Sequence, residues 1–394
     1  MIVRQFLQWV RNARPGDRAD ATSALARAYL HSDLSADDLA AAEGALIMLL
    51  DDPSPLVRRA LAEVFASSQK APQVVVNALA NDQPDVAVPV LARSPLLLDS
   101  DLVDLVATGE AETQAAIASR ALLPRPVGAA IAEVGCAQAC LVLLENADAE
   151  VTPASIDRIV ERFGHLAPIR ETLLSRPDIP APTRQALLTK LTETLTGYVA
   201  ARRWLTPDHA QYAAKDSYER ATVALAAEAR YEEIAALVQH LRDSGHLTPG
   251  LILRALLSGN IVLFEEAMAE LAGIPIDRVS GYVHDRNSSG FRALYRKSGL
   301  PDIAYPAFRE ALAALRRGVL LGEQGGAARL KRRMVEQVLA RCEQELSGEI
   351  EPLLTLLRRF AVEAAREEAR MFCDDLMAAP LPVPGNDDHG RLVA

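Results

Sequence analysis

The sequence predicts an all-α protein: an α-solenoid of short two-helix repeats, followed by a less regular helical C-terminal region. Two patterns support this prediction. A theme of turn and helix recurs from about residue 50 to 190, and the alanine-rich segments lack the alternating β-branched pattern of strands. In addition, half of the 394 residues are hydrophobic. That content is sufficient for a large buried core.

Residues 1–50 are expected to form an N-terminal helical cap. Val3, Phe6, Leu7 and Val10 recur at helical spacing, without the uninterrupted apolar run of a secretory signal. A terminal cap and a weak membrane-surface contact both use this pattern, and the sequence leaves both open. Because no uncharged apolar run of about 18 residues occurs, we expect a cytoplasmic protein with no transmembrane segment.

Residues 51–197 are predicted to form the repeat array. Turns rich in serine and proline start at residues 67, 94, 119, 146 and 175. Proline, aspartate or threonine follows where a helix should begin, since the first helical turn does not need the N–H that proline lacks. A second set of helices lies between these turns, at 55–61, 86–91, 115–118, 141–144 and 169–174. Helices of about ten residues are marginal alone, so we expect them to stack.

The opening of the array gives a clue to the repeat class. The run from Asp52 to Arg58 resembles the turn and second-helix opening of HEAT-type repeats. The period is shorter than the roughly 40 residues usual for that class, so we describe the repeats only as HEAT-like.

Residues 198–316 are predicted to form a second helical repeat region. Asn260 should head a helix, and Gly273-Ile274-Pro275 and Gly299-Leu300-Pro301 should each close one helix and open the next. A glycine adopts the left-handed conformation that ends a helix, and proline suits the start of another.

The remaining chain divides into long helices at 317–378 and a disordered tail at 379–394. Helical patterns cover about 302–316, 327–346 and 350–377. The last pattern carries an apolar side, and the sequence leaves open whether it docks on the array or forms a homodimer contact.

Several motifs carry a family resemblance. They are the runs 52–58, 85–97, 116–120, 272–275 and 290–294. On these runs the chain resembles the bacterial domain-of-unknown-function 2336 family over most of its length. The resemblance implies a soluble bacterial repeat protein without a known catalytic motif, and it transfers no site residues.

The polar segment 284–296 is a candidate site for an anion or an acidic partner. Arginines four residues apart share a helix face, and a helix N-terminus offers free N–H groups to an anion. In the alternative, these side chains cap the helix and pair with acids on neighbouring helices. The candidate binding residues are His284, Asp285, Arg286, Ser288, Ser289, Arg292, Tyr295 and Arg296.

Arginines also recur at similar places in the repeats and would suit an acidic partner peptide. The alternative is a ladder of hydrogen bonds from these arginines to the backbone of neighbouring repeats. The members of this predicted arginine ridge are Arg58, Arg59, Arg93, Arg120, Arg170 and Arg176.

Charge and motif content narrow the function classes. A formal net charge of -10 argues against nucleic acid as a partner. No nucleophile motif, phosphate loop or metal-ligand spacing occurs, and Cys136 and Cys140 fit small core residues, so we expect no enzyme, cofactor or metal. The sequence favours a non-enzymatic scaffold or regulatory adaptor that binds a protein partner on the solenoid surface. The alternative is a sensor of a phosphate-bearing small molecule or nucleotide at 284–296.

Overall fold

A computed structural model of the chain describes residues 8–10, 12–285, 288–321, 326–345 and 351–378. Throughout these ranges the regular elements are helices, which confirms the predicted all-α class. Val3, Phe6 and Leu7 of the predicted N-terminal helix and the predicted tail at 379–394 lie outside the described residues.

The chain divides into two compact units. The first unit runs to Ile179 and includes Thr189–Thr194, whereas the second comprises Pro180–Leu188 and the chain from Leu195 onward. The five-part division predicted from the sequence is finer than this division and stays a prediction.

The first unit is built from helices of 8 to 17 residues. They are α1 (Pro15–His31), α2 (Ala36–Met48), α3 (Pro55–Phe65), α4 (Gln73–Ala80), α5 (Pro84–Arg93), α6 (Asp99–Thr108), α7 (Ala111–Ala118), α8 (Arg125–Val134), α9 (Ala137–Glu145), α10 (Pro153–Phe163) and α11 (Ala167–Leu174).

Alternate helices of the first unit pack in two layers. Each odd-numbered helix from α1 to α11 packs against the next odd-numbered one, and the even-numbered helices pack likewise at α2 with α4, α6 with α8 and α8 with α10. The apolar positions Val57, Leu61 and Phe65 of α3 are completely buried in this way. This stacking confirms the predicted solenoid of two-helix repeats.

The second unit contains longer helices. They are α12 (Ala181–Ala201, which also contributes to the first unit), α13 (Pro207–Glu228), α14 (Tyr231–Asp243), α15 (Pro249–Leu257), α16 (Ile261–Ala272), α17 (Ile276–His284), α18 (Ser288–Lys297), α19 (Tyr305–Leu321), α20 (Gly326–Glu345) and α21 (Glu351–Ala378). None of the helices in the described part of the chain is long and apolar enough to cross a bilayer.

An aromatic cluster forms the centre of the second unit's core. Phe264, Tyr295 and Phe308 are fully buried, with ring centroids 6.2 Å apart for the two phenylalanines and 5.4 Å apart for Tyr295 and Phe308. The rings come from α16, α18 and α19, so their contact fixes these three helices against one another.

The predicted helix boundaries at the glycine motifs are confirmed. Gly273 and Gly299 adopt the left-handed conformation with φ of 58° and 73°. The side chain of Asn260 accepts a hydrogen bond from the Leu263 N–H and so caps α16. The helix predicted at 302–316 starts later, at Tyr305, because a short 3₁₀ turn occupies Asp302–Ala304.

Candidate functional site

A groove of about 1130 Å³ opens within the second unit. Its walls are mainly α13 and α21, and α15, α20 and the turn before α16 complete it. Seven cations and three carboxylates line the groove: Arg220, Arg254, Lys331, Arg358, Arg359, Arg366 and Arg370, with Asp216, Glu363 and Glu367. The groove is therefore positive, although the chain as a whole carries a formal charge of -10.

Arg254 is the buried anchor of the groove. It interrupts the apolar run of α15 and is only 4% exposed. Its guanidinium donates to Asp216 on α13 and to Glu363 on α21, both at 2.5 Å, and lies 4.2 Å from the ring centroid of Phe360. A single side chain thereby joins three helices through charge-assisted hydrogen bonds and a cation–π contact.

Glu219 is a second buried charge beside this anchor. Burial raises the pKa of Glu219, and a 3.0 Å hydrogen bond from the Thr248 hydroxyl and the charges of Lys215 and Arg254 offset only part of that effect. The absence of a side chain at Gly250 leaves room for the carboxylate of Glu219, because a Cβ at that position would lie 3.2 Å from one of the carboxylate oxygens.

The carboxylates of the groove are all engaged by cations. Arg220 contacts Asp216 at 2.8 Å and Glu363 at 3.3 Å, so it shares both acids with Arg254. Lys331 donates to Glu367 at 2.6 Å. Each carboxylate that lines the groove therefore has a cation within ion-pair distance.

Two arginines of the groove have no such partner. Arg366 and Arg370 lie four residues apart on α21, are exposed, and make no ion pair with any other residue that the structure describes. By contrast, Arg358 pairs with Glu343 and Glu351 outside the groove. The charge of Arg366 and Arg370 is available to a molecule that enters the groove.

The shape and apolar content of the groove also favour a sizeable occupant. Ala224 and Ala227 give the α13 wall small side chains, which permit close approach of another backbone. Val362 and Met371 lie on the opposite wall and are about half exposed. The groove volume of about 1130 Å³ is at the upper limit of the roughly 300–1,000 Å³ usual for small-molecule pockets.

A family model described as an uncharacterised protein conserved in bacteria (DUF2336) matches residues 86–347, well over half of the chain. The chain belongs to the DUF2336 family. No curated protein and no solved structure matches the chain. The matched DUF2336 region includes the groove helices α13, α15 and α20 and ends before α21.

In this DUF2336 protein, several side chains of the segment 284–296, which was predicted to bind an anion, contact other parts of the fold. Tyr295 is fully buried and its hydroxyl donates to the Pro301 carbonyl at 2.7 Å, so its predicted binding role does not fit its place in the core. His284 lies 3.2 Å from the carboxylate of Glu265, and the guanidinium of Arg292 lies 5.6 Å from the ring of Tyr305.

The other predicted members of that site are surface residues or lie beyond the described side chains. Asp285, Ser289 and Arg296 are exposed. Ser288 is the first residue of α18, and Arg286 lies outside the described residues. His284 thus contacts an acid on a neighbouring helix, whereas the contact shown for Arg292 is with an aromatic ring.

All six members of the predicted arginine ridge contact acids or backbone carbonyls within the first unit. Arg58 donates to Asp82 at 2.5 and 2.9 Å, and Arg170 donates to backbone carbonyls 5 and 6 residues before it. Arg176 contacts Asp178 at 3.3 Å. Only Arg59 and Arg93 keep about half of their side chains exposed, and both contact Glu63.

Arg120 and two counterparts form a carbonyl ladder. Arg120 donates to the carbonyls of Leu91 and Ser94 at 2.5 and 2.6 Å, where α5 ends. Asn146 donates to the carbonyls of Ala118 and Arg120 at 2.9 and 2.8 Å, and Arg176 reaches Leu144 O at 3.5 Å. Of the six ridge arginines, Arg120 and Arg176 make the backbone contacts that the alternative expected.

Sequence reasoning missed Arg162, which makes the same contact in the other layer. It donates to the carbonyls of Ala132 and Gly135 at the end of α8, both at 2.7 Å. It also missed Arg254 and the groove. The sequence does contain a signal for Arg254: it is the single charged residue in the apolar run Leu251–Leu257, and such a position indicates a buried ion pair.

Proposed function

We propose that this DUF2336 protein is a non-enzymatic adaptor that binds an acidic helical segment of a partner protein in the groove. The observation that supports the proposal most directly is the pair Arg366 and Arg370, two exposed cations with no ion-pair partner among the described residues. A helix with acids four residues apart would match their spacing on α21.

The remaining properties of the groove agree with a protein ligand. Its α13 wall is lined by alanines, and Val362 and Met371 offer apolar contact. The engaged carboxylates argue against acid–base chemistry there. The negative charge of the whole chain argues against a nucleic acid as the occupant.

The proposal is tested with two designed helical peptides of equal length. One carries glutamates at four-residue spacing, and the other carries glutamines at the same positions. We expect fluorescence anisotropy to show binding of the glutamate peptide, weakening as salt is raised, and at least about tenfold weaker binding after Arg366→Glu/Arg370→Glu.

A matched control separates groove chemistry from net charge. Arg27 and Arg278 are exposed and make no ion pair with described residues, so Arg27→Glu/Arg278→Glu gives the same change in net charge away from the groove. This control should bind the glutamate peptide like the unchanged protein. Equal binding of the two peptides, or an equal loss in the control, would contradict the proposal.

The cellular partner can then be sought by co-purification with both double variants. The expected result is a protein retained by the control variant and lost from the groove variant, with an acidic helical segment in its sequence. A partner that both variants retain binds elsewhere and counts against the groove.

A further inference from the structure

A second surface lies at the turn between α12 and α13, beside the groove, where the guanidinium of Arg359 lies 5.0 Å from the ring centroid of Tyr212. Leu195 and Tyr198 belong to the last turns of α12, Trp204 and Leu205 to the connecting turn, and Tyr212 to α13. We refer to these five residues as the aromatic tip. Each is about half exposed or more, with Trp204 at 63% and Tyr212 at 62%.

Two rings of the aromatic tip, those of Tyr198 and Trp204, contact each other and one cation. The guanidinium of Arg202 lies 4.1 Å from the ring centroid of Tyr198 and 5.4 Å from that of Trp204. The two rings make an edge-to-face contact, with centroids 5.7 Å apart. These contacts hold the two rings together at the turn between α12 and α13.

The turn that presents the tip contains an unusual backbone conformation. Arg203 has φ of 55°, in the left-handed region where glycine normally closes a helix. The Trp204 N–H donates to the Val199 carbonyl at 3.3 Å, which closes the end of α12. Glycine would adopt this conformation without steric cost, yet the chain has a cation there.

Charge distinguishes the tip from the rest of the surface. Between Leu195 and Tyr212 the chain carries two arginines, Arg202 and Arg203, and one acid, Asp208. The whole chain, in contrast, has 52 acidic and 42 basic residues. A negatively charged surface would therefore be attracted to the tip and repelled by most of the chain.

We infer that the aromatic tip inserts into the interfacial region of an anionic lipid bilayer. Tryptophan and tyrosine favour that region because an apolar ring and a polar group occupy its two environments together. Leu195 and Leu205 add apolar contact, while Arg202 and Arg203 face anionic headgroups. The combination of exposed aromatic rings, leucines and an excess of cations at one turn favours a lipid surface over an acidic peptide, which needs few apolar contacts.

Intrinsic fluorescence tests the inference on the full chain. The sequence contains two tryptophans, so Trp9→Phe leaves Trp204 as the reporter. With vesicles of equal parts phosphatidylcholine and phosphatidylglycerol, we expect a blue shift of Trp204 emission and quenching by brominated acyl chains. Vesicles of phosphatidylcholine alone should produce a much smaller change.

Variants assign the binding to the tip. Arg203→Gly preserves the turn and removes one charge, so vesicle affinity should fall about fivefold while the protein stays folded. In sedimentation assays without the fluorescence reporter, Trp204→Ser/Leu205→Ser should remove vesicle binding. The matched control is Leu122→Ser, since Leu122 is 86% exposed outside the tip.

Three results would overturn the inference. They are the absence of binding to anionic vesicles, unchanged vesicle binding in the Trp204→Ser/Leu205→Ser variant, and loss of vesicle binding on reversal of Arg366 and Arg370 instead. If the unchanged protein does not bind vesicles, and the tip variants no longer bind a purified acidic peptide that the unchanged protein binds, the tip belongs to the protein-binding surface. Circular dichroism of each variant identifies any loss caused by unfolding.

Discussion

Arg254 and Arg220 contact the same two acids, but the structure predicts very different consequences of removing them. Arg254→Met takes a buried cation from Asp216 and Glu363, whereas Arg220→Met takes away a side chain that is 54% exposed. Methionine retains much of the apolar stem of arginine, so both variants chiefly remove charge.

The expected loss for Arg254→Met is about 3 kcal/mol of unfolding free energy. Breaking a buried ion pair on one side costs about 3–5 kcal/mol, since the remaining charge stays desolvated. We take the lower end because Arg220 still contacts both acids after the change. Arg220→Met should cost at most about 1 kcal/mol, as is usual for exposed pairs.

Urea unfolding and hydrogen exchange together provide the measurement. The chain has two compact units, so a single transition is not assumed, and exchange of peptides from α15 and α21 reports the second unit directly. Adding Asp216→Asn and Glu363→Gln to Arg254→Met should restore most of the lost stability, because the two acids that lost their buried cation are then neutral, and Arg220, which loses both partners, is 54% exposed.

Two outcomes would refute this reasoning. Equal losses for Arg254→Met and Arg220→Met would show that burial does not set the strength of the pair. Failure of the triple variant to recover stability would show that Arg254 acts through packing with Phe360 rather than through its charge.

Three further predictions concern titrating groups. Because burial raises the pKa of Glu219, the contribution of this side chain to folding stability is complete below the usual glutamate pKa and is lost as pH rises through the folded value. The Glu219→Gln variant should therefore be more stable than the unchanged protein at neutral pH but not in acid. Parallel curves of stability against pH for the two proteins would contradict this. Burial opposes ionisation of Asp82, but hydrogen bonds from Arg58 and a backbone N–H outweigh it and lower the pKa of Asp82. The stability that Asp82 provides is present above the usual aspartate pKa and is lost as pH falls through the folded value. The Asp82→Asn variant should therefore lose less stability than the unchanged protein as pH falls. An equal loss of stability in acid for the two proteins would contradict this. Burial raises the pKa of the Cys140 thiol to about 11, so iodoacetamide should modify the exposed Cys373 much faster than Cys140. Equal rates of modification, measured by mass spectrometry, would show that Cys140 is accessible.

The repeats were predictable because their signals are local. At α10, Thr152 accepts a hydrogen bond from the Ser155 N–H at 3.2 Å and Pro153 starts the helix, which are rules that act within four residues. Gly273 and Gly299 ended their helices as expected for the same reason. Such positions carry their structural instruction in the residue type itself.

The groove was not predictable, because it depends on distant segments. Arg254 and Glu363 are 109 residues apart, and no periodic pattern indicates that α15 and α21 meet. Tyr295 shows the converse difficulty. Its polar hydroxyl and polar sequence neighbours suggested a binding role, but the Pro301 carbonyl satisfies the hydroxyl within the core.

The carbonyl ladder has a consequence for how the array can change in length. Arg120, Asn146 and Arg176 each reach back 26 to 32 residues, about one repeat, to the end of the preceding helix in the same layer. A duplicated repeat would add a side-chain donor for the carbonyls of the repeat before it. It would also add carbonyls that accept from the donor of the repeat after it. Insertions or deletions of whole modules should thus leave every buried carbonyl with a donor, whereas a shift of a few residues would leave some without one.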